Sequence, residues 1–229
     1  MFQYLRYFIY LAWNWNLAIA WHIIKNEIRG EKIYGIRTTG ADELGHLTRQ
    51  GISIEHATIY MPASYDLLEK LFDSYPPARS RHFVDIGSGK GRVMAVAAAF
   101  GATNVTGIDI SSRLSEIAAH NLEKTKQRFP ALEYSLMVND AANYEFEENV
   151  DMILFFNPFD RSIMRTVVGN IIHSLKQDPR DITIFYLNPL EKDLFLDEGF
   201  AEEYHTIYKG YLEASVFTKK ARNNRVTGS

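Results

Sequence analysis

No cysteine occurs among the 229 residues. That absence excludes disulfides, thiolate metal centres, iron–sulfur clusters and cysteine nucleophiles together, and it fits a reducing compartment such as the cytoplasm. The seven histidines stand at positions 22, 46, 56, 82, 120, 173 and 205, with none of the short-range pairing of an H-E-x-x-H motif. No metal centre is therefore expected. Positive charge is not in excess either: 25 Lys and Arg against 28 Asp and Glu leave a net of −3. That balance excludes a broad field that would condense on nucleic acid. With 46% apolar and 23% charged residues, the composition is neither collagen-like, coiled-coil nor disordered, and it fits one domain with a single core. Internal repeats and low-complexity tracts are absent.

What the chain does have, at its start, is a run of 18 residues without formal charge, from Tyr7 to Ile24, bounded by Arg6, Lys25 and Arg29. Its length is at the lower limit for crossing a bilayer. Asn14, Asn16 and His22 lie inside it, where hydrocarbon offers no hydrogen-bond partner, while Tyr7, Tyr10, Trp13, Trp15 and Trp21 favour an interfacial layer. Three readings stay open: a helix that packs its apolar face on the domain, a peripheral membrane contact through residues 7–24, and a self-association surface. The first two correspond to a cytoplasmic protein and to a membrane-associated one. Residues 25–55 turn polar and carry five glycines, Gly30, Gly35, Gly40, Gly45 and Gly51, the composition of a connector.

After Ile59, short apolar runs alternate with longer amphipathic ones, which predicts a mostly parallel sheet covered by helices. The expected strands are His82–Ile86, Asn104–Ile110, Leu132–Val138, Asp151–Phe156 and Asp181–Leu187. The expected helices are Ser64–Ser74, Gly91–Phe100, Ser112–Arg128 and Ser162–Lys176, the third with Leu114, Ile117, Ala118 and Leu122 on one face. A short helix near Leu190–Asp197 precedes two strands, Ala201–Lys209 and Ala214–Lys219, whose short connection implies an antiparallel hairpin.

The sharpest local signal runs from His82 to Arg92, HFVDIGSGKGR. An apolar strand ends in an acid, Asp85, and enters three glycines at alternate positions, Gly87, Gly89 and Gly91. Glycine there allows a tight turn and a close ligand approach. The spacing is G-x-G-x-G rather than G-x-G-x-x-G, and a G-x-x-x-x-G-K-[ST] loop is absent. Asp109 follows Gly91 by 18 residues, at the end of the next strand. A carboxylate in that position can accept both hydroxyls of a ribose.

With these motifs the sequence resembles the class I S-adenosylmethionine-dependent methyltransferases, over about Ile59 to Lys219 and most closely over Phe83 to Asn121. The resemblance implies an α/β fold, a three-layer αβα sandwich around a seven-stranded, mostly parallel sheet with an antiparallel last strand. It implies a division into an N-terminal apolar helix and connector, residues 1–58, and a methyltransferase domain with a short polar tail, residues 59–229. S-adenosylmethionine is the implied cofactor. Position by position, Asp85, Gly87 and Gly89 would border the methionine moiety, Gly91 would open the following helix, and Asp109 would hold the ribose, with Ser88 and Ile110 in the same set. Asp140 matches a position where the family often has an acid near the adenine amino group, although an Asn-Asp turn is an alternative.

The fourth strand runs into Asn157-Pro158-Phe159, similar to the N/D-P-P-Y/F motif of amino-group methyltransferases but with one proline. The resemblance implies that Asn157, Pro158 and Phe159 hold the acceptor. The alternative is an ordinary turn, since a second Asn-Pro pair, Asn188-Pro189, follows the fifth strand. The family often folds an upstream segment over the cofactor, so Tyr60 and Tyr65 would line the acceptor site, unless Tyr65 merely packs the helix that Ser64 caps. The implied activity is N-methylation of an amino group on a protein side chain or small molecule. Its rivals are a non-catalytic S-adenosylmethionine-binding module with an N-terminal anchor and an NAD(P)-dependent oxidoreductase, the latter disfavoured by the glycine spacing.

Overall fold

The computed structural model describes residues 2–14, 16–40, 62–156 and 159–221. In chain order these form α1 (Phe2–Asn14), α2 (Leu17–Tyr34), α3 (Tyr65–Ser74), β1 (Phe83–Ile86), α4 (Arg92–Ala99), β2 (Asn104–Asp109), α5 (Ser112–Arg128), β3 (Glu133–Val138), β4 (Met152–Phe156), α6 (Arg161–Gln177), β5 (Ile182–Leu187), α7 (Asp193–Asp197), β6 (Ala201–Tyr208) and β7 (Leu212–Lys219). The sheet order is β3-β2-β1-β4-β5-β7-β6. The first five strands run parallel, while β7 lies antiparallel between β5 and β6. The α/β sandwich with a reversed last strand is thus the observed fold.

β1 is the pivot, pairing with β2 on one side and β4 on the other, Phe83 opposite both Val105 and Met152. All four of its residues are buried, and their side chains alternate between the two faces. Phe83 joins Phe72, Met94, Val96 and Phe185 under α3 and α4. Val84 and Ile86 join Phe155, Ile171, Tyr186 and Phe195 under α6 and α7. Burial of such side chains stabilises the fold by about 1.5–3 kcal/mol each. A strand whose neighbours cross over in opposite directions leaves a crevice at its carboxyl end, where open α/β sheets bind ligands.

The N-terminal region departs from the expected single helix and connector. The uncharged run is divided between α1, which ends at Asn14, and α2, which begins at Leu17 and is capped by Asn16 accepting the Ile19 N–H at 2.9 Å. An asparagine that is poor inside an apolar helix is a good N-cap. Helix α2 then continues through residues expected to be connector, as far as Tyr34, with Gly35 in the left-handed conformation as its stop. Gly30 sits within it because a Cβ there would lie 2.2–2.5 Å from the ring of Tyr65. The glycine marks a close helix–helix contact rather than a loop. Helices α1 and α2 form a hairpin around Tyr7, Leu11, Ala20 and Ile24. Helix α2 is bolted to α3 by Arg29, which donates to Asp66 at 2.8 Å and to Glu69 at 2.7 Å, and by the Tyr34 hydroxyl on Glu69. Among the described residues no helix is long and apolar enough to cross a membrane.

Two local expectations also change. The buried stripe of α5 is Leu114, Ser115, Ala118, Asn121, Leu122 and Thr125, with Ile117 only half-buried. Ser64 precedes α3 without a side-chain capping bond.

Candidate functional site

The chain leaves β1 through Gly87, Gly89 and Gly91, whose φ angles are 80°, 52° and 77°. Three left-handed residues at alternate positions are accessible at low cost only to glycine. The turn they make is fastened to the end of β2. Gly87 and Ser88 both donate their N–H to the Ile108 carbonyl, at 2.8 and 3.0 Å, and Gly91 donates to Ser88. The Asp109 carboxylate completes the stitch, accepting the Gly89 N–H on one oxygen and the Ser111 N–H on the other, each at 2.8 Å. The Asp109 carbonyl in turn accepts the Asn139 N–H, so the carboxyl ends of β1, β2 and β3 are joined. Burial pushes the Asp109 carboxyl up, opposed by the N–H donors of Ser111 and Gly89. Each oxygen accepts one protein hydrogen bond and keeps a further lone pair.

Beneath the loop, Asp85 is 2% exposed and its Oδ2 has no hydrogen-bond partner among the described residues. Burial, then repulsion from Asp109, pushes this carboxyl up to about 8. Ser88, the second residue of the loop, also carries a buried hydroxyl without a partner. Native proteins rarely leave such groups unsatisfied, because an unpaired buried polar group costs of order 1–3 kcal/mol. Two orphans in a four-residue stretch mark a place shaped for a polar ligand rather than for the fold.

The remaining sequence candidates fall in several places. Ile110 is half-buried just past Asp109. Asp140 follows β3 and accepts the Ala142 N–H at 2.9 Å, capping a short turn, so one of its oxygens serves the chain itself. Phe159 is half-buried against the core beneath α6. Residues Tyr60, Asn157 and Pro158 lie outside the described residues. Tyr65 does not border an open crevice: it is fully buried at the start of α3, stacked on Tyr34 with ring centres 5.4 Å apart, and hydrogen-bonded to the Thr38 hydroxyl at 3.0 Å. Packing at the helix start, the bland alternative, is its observed role. The second Asn-Pro pair is a turn, with Asn188 at φ 51° donating its N–H to the Glu213 carbonyl.

A polar bolt behind the loop has no direct sign in the sequence. Arg92, the first residue after Gly91, is 2% exposed and Glu27 of α2 is 3% exposed. The guanidinium donates to both Glu27 oxygens, at 2.7 and 2.5 Å, to the Thr38 hydroxyl and to the Ala63 carbonyl, and it stacks 4.0 Å from the Tyr65 ring centre. Asn121 of α5 donates to the carbonyls of Lys90 and Arg37 and accepts the Arg37 N–H. The 36–39 segment is thereby tied to the far side of the loop. A lone arginine opening the apolar helix RVMAVAAA is the one available hint, since a buried guanidinium requires a carboxylate somewhere in the chain.

Residues 83–178 match a family model described as a methyltransferase domain. Among solved structures, the chain resembles the Escherichia coli protein yhhF, with 15% identity, 71% of this chain and 89% of that one covered, and a TM-score of 0.54. It also resembles the ribosomal protein L11 methylase of Lactobacillus delbrueckii subsp. bulgaricus, with 15% identity, coverage of 70% and 81%, and a TM-score of 0.53. A third is the N-methyltransferase NodS of Bradyrhizobium japonicum, with 18% identity, coverage of 68% and 93%, and a TM-score of 0.52. At these identities the likeness is one of fold. No curated protein matches the chain. The family match begins on the first residue of β1 and ends one residue past α6, spanning the glycine loop and every strand end stitched to it, so over these residues the chain is similar to a methyltransferase domain.

Proposed function

We propose that the chain methylates a nitrogen of an amine acceptor, on a protein side chain or a small molecule, with S-adenosylmethionine bound across the carboxyl ends of β1, β2 and β3. The observation that carries this reading is the buried Asp85 Oδ2, without a hydrogen-bond partner among the described residues, beneath three left-handed glycines. A buried acid held above its ordinary range gains most from a cationic partner, and the amino-acid ammonium of the cofactor supplies one. Gly87 and Gly89 border the methionine moiety and keep side chains out of its way, with the Ser88 hydroxyl as a further polar partner. The free lone pairs of Asp109 receive the ribose hydroxyls, Ile110 lies beside them, and the second oxygen of Asp140 suits an adenine amino group. When bound, the cofactor supplies a methyl group on a sulfonium leaving group.

Such a transfer depends on in-line alignment more than on a charged catalytic pair. The chain's task is then to orient and desolvate the acceptor. Because β4 pairs with β1, Ile86 opposite Phe155, Asn157-Pro158-Phe159 follows the strand beside the glycine loop. The Asn157 amide would accept a hydrogen bond from the amine, and Phe159 would stack on it. An amine can lose its proton to water, so no side chain is assigned as base.

The test is incubation with methyl-labelled cofactor and fractionated lysate. Label in protein or in small amines is the expected result; label confined to RNA or lipid would overturn the amine assignment. On the labelled acceptor, Asn157→Ala should lower turnover by roughly tenfold or more with cofactor affinity held within a few fold, because it misaligns the attack without touching the nucleoside. Phe159→Leu should mainly raise the acceptor KM. Asn188→Ala should leave turnover unchanged, and a turnover loss there instead of at Asn157 would contradict the acceptor assignment.

A further inference from the structure

The α1–α2 hairpin projects a face that the fold does not use. Its inner face is spent on Tyr7, Leu11, Ala20 and Ile24. Its outer faces carry Leu5, Ile9 and Trp13 on α1 and Leu17, Trp21 and Ile28 on α2, exposed by 55%, 58%, 89%, 68%, 67% and 48%. The most exposed pair, Trp13 and Leu17, stands at the facing ends of α1 and α2 and so marks the tip of the hairpin. Large apolar side chains are exposed here as a cluster rather than singly, and clusters of this kind mark interaction sites.

Charge is arranged along the hairpin with respect to that tip. Residues 2–26 contain no Asp or Glu, and their formal cations are Arg6 and Lys25, both exposed. At a rise of 1.5 Å per residue, Arg6 lies about 10 Å behind Trp13 and Lys25 about 12 Å behind Leu17. The two cations therefore stand at one level, behind an apolar, tryptophan-bearing end. The first acid, Glu27, is buried on Arg92. The positive charge of this hairpin contrasts with a chain of net charge −3.

We propose that this hairpin docks tip-first into an anionic membrane surface. Trp13, Leu17 and Trp21 enter the boundary between headgroups and acyl chains, which apolar faces penetrate to roughly 5–10 Å. Arg6 and Lys25 come to rest at the level of the lipid phosphates. None of the described helices is long and apolar enough to span the bilayer. The rest of the protein, acidic on balance, is held away from the surface, with the glycine loop reached through α2 and Glu27.

The experiment is co-sedimentation of the full chain with vesicles of phosphatidylcholine alone and of phosphatidylcholine with equimolar phosphatidylglycerol. The expected result is binding to the mixed vesicles, weakened by high salt, and reduced roughly tenfold or more in Trp13→Ser/Leu17→Ser. Both substituted side chains are exposed, so an unchanged thermal melt should accompany that loss. Arg6→Gln/Lys25→Gln should abolish the preference for the anionic vesicles. The proposal is overturned by no binding, by equal binding to both vesicles, by binding that Trp13→Ser/Leu17→Ser leaves intact, or by a dimer in solution that this variant converts to monomer.

Discussion

Glu27→Gln is expected to destabilise the fold by about 3–5 kcal/mol, the range seen when one partner of a buried ion pair is removed. Arg92 is 2% exposed and cannot lose its charge at any relevant pH. Among its other partners, the Thr38 hydroxyl, the Ala63 carbonyl and the Tyr65 ring carry no negative charge. The amide of glutamine offers one oxygen where two bonds were made. The damage should extend to function, because Arg92 adjoins Gly91 and its release loosens the loop. Glu27→Met combined with Arg92→Met should recover most of the stability, since replacing both members of a buried ion pair by apolar side chains costs far less than removing one. Urea unfolding of the three proteins decides it: a shift below about 1 kcal/mol for Glu27→Gln would be the behaviour of a solvated surface pair instead.

Asp85→Asn should have opposite effects on stability and on cofactor binding. The Asp85 carboxyl ionises at about 8 in the folded chain, against an ordinary value of 3.8, through burial first and the neighbouring Asp109 second. Below the lower of these values both folded and unfolded chains hold the proton, and the contribution to stability is fully present. As pH rises between them the unfolded chain releases the proton while the folded chain keeps it, so stability falls until the folded carboxyl also ionises. Asparagine has nearly the same shape and no charge. The variant without cofactor should lack this decline and should exceed the parent protein by a few kcal/mol near the top of the window. With S-adenosylhomocysteine the order should reverse, because the amide cannot neutralise the ligand's ammonium. Thermal melts across that window, with and without ligand, check both halves; parallel pH profiles for the two proteins would show that Asp85 is not a buried titrating acid.

The strands and the glycine loop were legible in the sequence because their causes are local. Apolar runs of five to seven residues closed by turn residues gave β1, β2, β4 and β5 to within a residue or two, and alternate glycines need left-handed backbone whatever surrounds them. The stitch from Asp109 to the loop could be inferred only as a carboxylate at a strand end. Its two backbone partners depend on β1 and β2 lying side by side. The N-terminal region was misread where its causes are remote. Gly30 looks like a loop residue until the Tyr65 ring, 35 positions on, is seen to occupy the space of its Cβ. Likewise Glu27 and Arg92 are 65 positions apart, and nothing in either neighbourhood names the other. Tyr65 was open to an acceptor-site role because an aromatic before a cofactor loop serves either purpose; Gly30, Tyr34 and Arg92 surrounding it settle the side chain into the core.

The central claim, that the loop between β1 and α4 binds the nucleoside of S-adenosylmethionine with Asp109 as a partner, is tested most directly by calorimetric titration of the chain with S-adenosylhomocysteine, NAD and ATP. One site that takes S-adenosylhomocysteine far more tightly than the other two is expected, weakened by about 1.5–3 kcal/mol in Asp109→Ala through loss of charge-assisted hydrogen bonds. Tighter binding of NAD, no binding of S-adenosylhomocysteine, or an affinity that Asp109→Ala leaves untouched would contradict it.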